Sequence, residues 1–125
     1  MLGLGLMSLD NKLKTIAIAL FDKDRLVMIR CYVDGMSPSE IAGFLAYDRI
    51  TVRSKIQRGL NQVDINMIKD DNIFKKLMGL KEVYDFKCNI CLLCERKVNY
   101  VDMLKHLLSH HKDYLIKILN EVLGK

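Results

Sequence analysis

The 125-residue chain has one proline, no tryptophan and no apolar run longer than the six residues Ile16 to Phe21. That run is far short of the roughly 20 residues a membrane-spanning helix needs. The opening Met1 to Met7 lacks the basic stretch and small-residue cleavage site of a secretory leader, so a soluble, cytoplasmic protein is expected. The scarcity of proline, in a chain whose residues are 50% apolar, excludes a disordered tail and points to packed, mostly helical structure. There is no internal repeat, no phosphate-binding glycine loop and no nucleophile–base arrangement, so an enzyme is not expected.

Charge is modestly one-sided: 20 Lys and Arg stand against 15 Asp and Glu, a formal +5. Such a balance favours polyanionic partners without demanding them. Cysteine is also sparse. Cys31 stands alone in an apolar stretch and reads as a core thiol. Cys88, Cys91 and Cys94 recur every three residues, with His106, His110 and His111 downstream; in an intracellular chain this clustering points to metal rather than disulfides.

Local signals divide the chain. Ser8 reads as the cap of an amphipathic first helix carrying Leu9, Leu13, Ile16, Ala17 and Leu20. A second helix is expected from about Asp24 to Asp34, stopped by Gly35, with Lys23, Arg25 and Arg30 solvating it. Ser37-Pro-Ser-Glu40 has the pattern of a capping box with proline at the first helical position. Asp48 caps a fourth helix whose Val52, Ile56, Leu60 and Val63 share one face. The expected organisation is a helical unit over 8–65, a linker with a short helix near 73–79 over 66–82, and a third segment over 83–125. That segment is expected to form a β-hairpin from Val83 to Val98 and one long helix from Asn99 to Leu123.

Within the first unit, Ile41, Ala42 and Leu45 are placed to pack on Val52 and Ile56. The opposite face is left to Arg49, Arg53 and Gln57, flanked by Thr51, Lys55 and Arg58. From Asp48 to Gln62 four basic residues face one acidic, a net +3. The run Gly35 to Leu60, with Glu40-Ile-Ala42, Leu45, Asp48, Thr51-Val-Arg-Ser54 and Leu60 in register, resembles the LuxR-type and sigma-factor helix-turn-helix over about residues 24–63. One departure is Ala46, where those families usually have glycine at the turn. The resemblance implies a sequence-specific regulator of transcription that binds double-stranded DNA, with a recognition helix over about Arg49 to Asn61 in the major groove. It also implies that Arg49, Arg53 and Gln57 face base edges while Thr51, Lys55 and Arg58 touch phosphates.

In the third segment, His106 and His110 lie one helical turn apart and share a face, as two imidazoles on one ion require. Two cysteines on the preceding hairpin would complete a tetrahedron. The order cysteine pair, hairpin, helix, histidine pair resembles a two-cysteine two-histidine zinc finger over about Val83 to His111, which implies Zn2+ and a small ββα module. Cys91 and Cys94 fit the finger's spacing better than the alternative pair Cys88 and Cys91, and His110 is preferred with His111 as its alternative. The finger's base-reading positions would fall at Asn99, Asp102 and Lys105, a weakly basic set, so the metal is expected mainly to hold the module together.

Val101, Leu104, Leu108, His111, Leu115, Ile118 and Val122 follow alternating spacings of three and four. This seam suits a homodimer or packing within the chain equally well. The fold class expected is therefore mainly α: a helix-turn-helix bundle, then a ββα zinc-finger-like module with an extended C-terminal helix. A protein-interaction adaptor of the transcription machinery is the alternative function.

Overall fold

The computed structural model describes residues 2–124, with side chains from residue 9 onward. Among these residues the chain is mainly helical. The helices are α1 (Leu2–Phe21), α2 (Lys23–Val33), α3 (Pro38–Leu45), α4 (Arg49–Leu60), α5 (Ile65–Lys69), α6 (Asp71–Met78), α7 (Met103–His110) and α8 (Lys112–Val122). Strands β1 (Tyr84–Asp85) and β2 (Ile90–Cys91) pair antiparallel, Tyr84 opposite Cys91, and a 3-10 turn covers Tyr100–Asp102. No described helix is long and apolar enough to cross a membrane.

Caps set most of these boundaries. Asp22, Ser37, Asp48, Asp64 and Asp70 each accept from a backbone N–H in the first turn of the following helix, and Ser37 with Glu40 closes a reciprocal capping box. Ser8 lies inside α1 rather than at its start.

α1 is the axis of the molecule. Its Ile16 to Phe21 are all buried, and the same core takes in Leu26 and Ile29 of α2, Met67 and Ile68 of α5, and Leu77 of α6. It continues through Val83, Tyr84, Cys91, Met103 and Leu107 to Leu115, Ile118, Leu119 and Val122. Residues 66–82, expected as a linker, thus contribute most of α5 and all of α6 to the common core. Leu115, Ile118 and Val122 of the expected seam are likewise buried against α1 within the chain, which leaves them no surface for a second copy.

Two expectations for the C-terminal segment are corrected. The hairpin over Val83 to Val98 shrinks to two-residue strands because the chain turns sharply at Asn89 and Glu95, both with positive φ. A bridge from Ile90 to Lys97 and a hydrogen bond from Val83 N–H to the Leu20 carbonyl tie the turns to the body. The single long helix is broken at His111, whose φ of −130° and ψ of 30° lie outside the helical region. The break separates α7, which buries Met103 and Leu107, from α8.

A second cluster joins Met28 of α2, Ile41 and Ala42 of α3, and Val52 and Ile56 of α4, with Cys31, Leu45 and Leu60 packed at its edge. α3 and α4 are joined by only three residues, Ala46 to Asp48. Ala46 adopts the left-handed conformation, φ 59° and ψ 41°, that glycine usually supplies. Gly59 lets α4 approach α2 closely: a Cβ there would lie 2.3 Å from Ile29 Cδ1.

Candidate metal centre and the exposed face of α4

Cys91 ends β2, Cys94 closes the turn that follows, His106 sits in the middle of α7, and His111 is the residue at which the C-terminal helices break. The turn is held by the Glu95 N–H donating to the Cys91 carbonyl at 2.7 Å, with Glu95 left-handed, and by the Cys91 N–H donating to the Arg96 carbonyl. One ligating atom from each of these four residues lies within 4.8 Å of the other three. Cys91 Sγ is 3.6 Å from His111 Nε2, Cys94 Sγ is 3.4 Å from His106 Nε2, and the two Nε2 atoms are 3.2 Å apart.

These edges can be tested against a metal. Bonds of about 2.3 Å to sulfur and about 2.0–2.1 Å to nitrogen, at tetrahedral angles, require sulfur–nitrogen edges of about 3.5 Å and a nitrogen–nitrogen edge of about 3.3 Å. The two sulfur–nitrogen edges and the nitrogen–nitrogen edge match these lengths, so Cys91, Cys94, His106 and His111 could hold a metal ion. Burial pushes the Cys91 thiol up, against the pull of backbone N–H groups from Leu93 and Cys94. Burial, and then the neighbouring histidines and Arg96, push His106 and His111 down. The direction of the shift favours the neutral imidazole, the form with a lone pair to donate.

The structure brings Cys91 and Cys94 together with the histidines and leaves Cys88 exposed, outside the cluster. It places His111, the alternative to His110, in the cluster beside His106. In an uninterrupted helix His111 would lie about 140° round from His106, on the wrong side. The break at His111 removes that constraint, and His110 stays exposed, its ring centroid 5.0 Å from that of His106.

On α4, Val52, Ile56 and Gly59 face inward, while Arg49, Arg53, Gln57 and Arg58 are exposed. Thr51 is turned to the Asp48 carboxylate, which accepts from both its N–H and its hydroxyl. Asp48 is held below the usual carboxylate range by those contacts.

Lys55 is not a free cation. Its ammonium donates to Asp22 at 2.8 Å and to the Tyr100 hydroxyl at 2.7 Å, and sits 4.9 Å from the Tyr100 ring centroid. Burial alone would lower its pKa, but these hydrogen bonds outweigh it and the net shift is upward. Arg25, expected on the surface of α2, is 7% exposed and donates to Tyr100 and Gln62. Arg30 is spent on Asp34, Asp71 and the Ile68 carbonyl.

Tyr100, which leads into α7, is therefore a clasp between the candidate metal module and α4. Its hydroxyl donates to Asp22 and accepts from both Arg25 and Lys55. Near it, the Tyr47 hydroxyl donates to Asp24, and that contact, with burial, pushes the phenol up to about 12. The bond ties the turn between α3 and α4 to the start of α2.

Sequence reasoning missed Tyr100, and it missed Ile50, a large apolar side chain 79% exposed in the first turn of α4. The hint of Ile50 was an apolar residue out of phase with the Val52–Ile56 stripe; the sequence carried none of Tyr100. Compared with protein-family models, curated proteins and solved structures, the chain matches none, so what it does has to be argued from this geometry.

Proposed function

We propose that this chain is a double-stranded DNA-binding regulator of transcription. In this reading α3 and α4 act as a helix-turn-helix, α4 lies in the major groove, and Zn2+ holds β1, β2 and α7 together as a ββα zinc-finger-like module. The observation that carries the DNA reading is the division of α4: Val52, Ile56 and Gly59 anchor it to α2 and α3, while Arg49, Arg53, Gln57 and Arg58 stand free. Twelve helical residues make a rod of about 18 Å, which the major groove, about 12 Å wide, can admit end-on or lengthwise.

Arg49, Arg53 and Gln57 are assigned to base edges and Arg58 to a phosphate. Lys55 is assigned to the Tyr100 clasp, not to DNA. Zinc is favoured over other ions by the donor set, two thiolates and two imidazoles in a tetrahedron. Four protein ligands leave no open coordination position, which favours a structural role over a catalytic one.

An adaptor that binds another protein is the second reading, favoured by Phe44, a large apolar side chain 72% exposed at the end of α3. Titration of a labelled random duplex at two salt concentrations separates them. The DNA reading requires binding at low salt that weakens steeply as salt rises; no binding to any duplex transfers the case to the adaptor. Metal analysis of protein prepared without added zinc should find one zinc per chain.

A further inference from the structure

Ile50 is the second residue of α4 and 79% of it faces solvent, although it is one of the most apolar side chains in the chain. It belongs to neither buried cluster and packs against neither as a partly buried neighbour. At 100° per residue, Ile50 lies about 20° from Gln57, 40° from Ser54 and 60° from Arg53, at the middle of the exposed face of the helix. That face carries three arginines, Arg49, Arg53 and Arg58. The nearest acid, Asp48, is spent on Thr51 and the helix N-terminus.

A partner for this face must be polyanionic and must also offer a small apolar group at the depth the first turn of the helix reaches. Duplex DNA provides that combination. The first turn of a recognition helix is the part that meets base edges, and the apolar group displayed in the major groove is the 5-methyl of thymine.

Resting on the DNA-binding reading above, we propose that Ile50 reads a thymine methyl group, so that the target site contains a thymine opposite the N-terminal turn of α4, beside the base met by Arg53. The arginines supply attraction to the duplex and hydrogen bonds to base edges. Ile50 adds a preference that no hydrogen bond in the site could give, because uracil and thymine differ only in the methyl group.

The test begins with a duplex selected by the protein from a random pool. Each thymine is replaced singly by deoxyuridine, and affinity is measured for the wild type and for Ile50→Ala. Ile50 makes so little contact with the fold that the variant should unfold at the wild-type temperature, which circular dichroism checks. At one thymine, or two adjacent ones, the wild type should lose about fourfold in affinity, the factor expected for one methyl-sized burial. Ile50→Ala should lose a similar factor on the thymine duplex and be indifferent to the replacement. Tolerance of uracil at every position by the wild type, or discrimination retained by Ile50→Ala, overturns the proposal. If duplex binding still depends on salt and on Arg53 in that case, only the assignment of Ile50 falls. If no duplex is bound even at low salt, the DNA reading falls with it.

Discussion

Replacing Tyr100 by Phe removes one oxygen atom from the centre of the clasp and nothing else. The ring keeps its edge contact with Phe21 and its tilted contact with Phe86, both at 5.7 Å between centroids, and keeps Lys55 near its face. Three hydrogen bonds disappear, to Asp22, Arg25 and Lys55, each a charged partner. No charge is orphaned, however. Asp22 still pairs with Lys55 at 2.8 Å and Arg25 at 3.2 Å, and Arg25 still donates to Gln62 at 3.1 Å. The cleft beside the hydroxyl, lined by Asp24, Tyr47 and Phe86, is open enough for water to replace part of what is lost. The cost should therefore be that of one or two net hydrogen bonds, about 1–2 kcal/mol. For a chain of this size it corresponds to a fall of about 4–8 °C in melting temperature. Asp22→Ala should cost more, about 3 kcal/mol, because it leaves Lys55 and Arg25 facing each other without their shared counter-charge. Thermal melts and urea titrations of the two variants measure both. A shift under about 1 °C for Tyr100→Phe, or Asp22→Ala milder than Tyr100→Phe, would refute the clasp.

The candidate metal centre yields a sharper contrast: Cys91→Ser, Cys94→Ser, His106→Ala and His111→Ala should each lose the metal on dialysis, whereas Cys88→Ser and His110→Ala should retain one equivalent by metal analysis. Acid should release it. Because burial lowers the folded-state pKa of His106 and His111 below the ordinary 6.5, the folded chain binds fewer protons than the unfolded one in that range. Stability should be fully present above about pH 6.5 and decline as pH falls below it, and melts between pH 7.5 and pH 5 would show a flat profile if the two rings were exposed instead. Ala46→Gly should raise stability by about 0.5–1 kcal/mol, since the left-handed turn strains alanine more than glycine's extra chain entropy costs; a loss of stability on chemical denaturation would contradict the turn geometry.

The division between what could and could not be read from the sequence follows the range of the interactions. Capping is local: Ser37 with Glu40, Asp48 with Thr51 and Gly35 after α2 act within four residues, and each ends or starts a helix where the sequence placed it. Apolar periodicity likewise gave the packing of Ile41 and Ala42 on Val52 and Ile56. The break at His111 has no proline or glycine to announce it. It depends on α7 and α8 docking separately, through Leu107 and Leu115, on a core built around α1. The change from His110 to His111 follows from that tertiary choice. Lys55 looked like a phosphate contact because its partners Asp22 and Tyr100 are 33 and 45 residues away. The C-terminal stripe was legible as a seam, but which surface it meets was not, since α1 presents an equally apolar face.

The central claim is that the arginine face of α4 engages duplex DNA, and the salt dependence of affinity tests it most directly. Wild-type protein and a variant with Arg49, Arg53 and Arg58 all changed to Ala are titrated with the same labelled duplex across a salt series. All three side chains are exposed on α4, so the variant should fold as the wild type does. The wild type should bind with log affinity falling linearly against log salt, by about 0.9 for each phosphate neutralised. The variant should bind at least tenfold more weakly at low salt, with a slope shallower by about one unit or more. Equal affinities and parallel slopes for the two proteins would contradict the account, because a helix that can lose its three free arginines without consequence does not touch DNA.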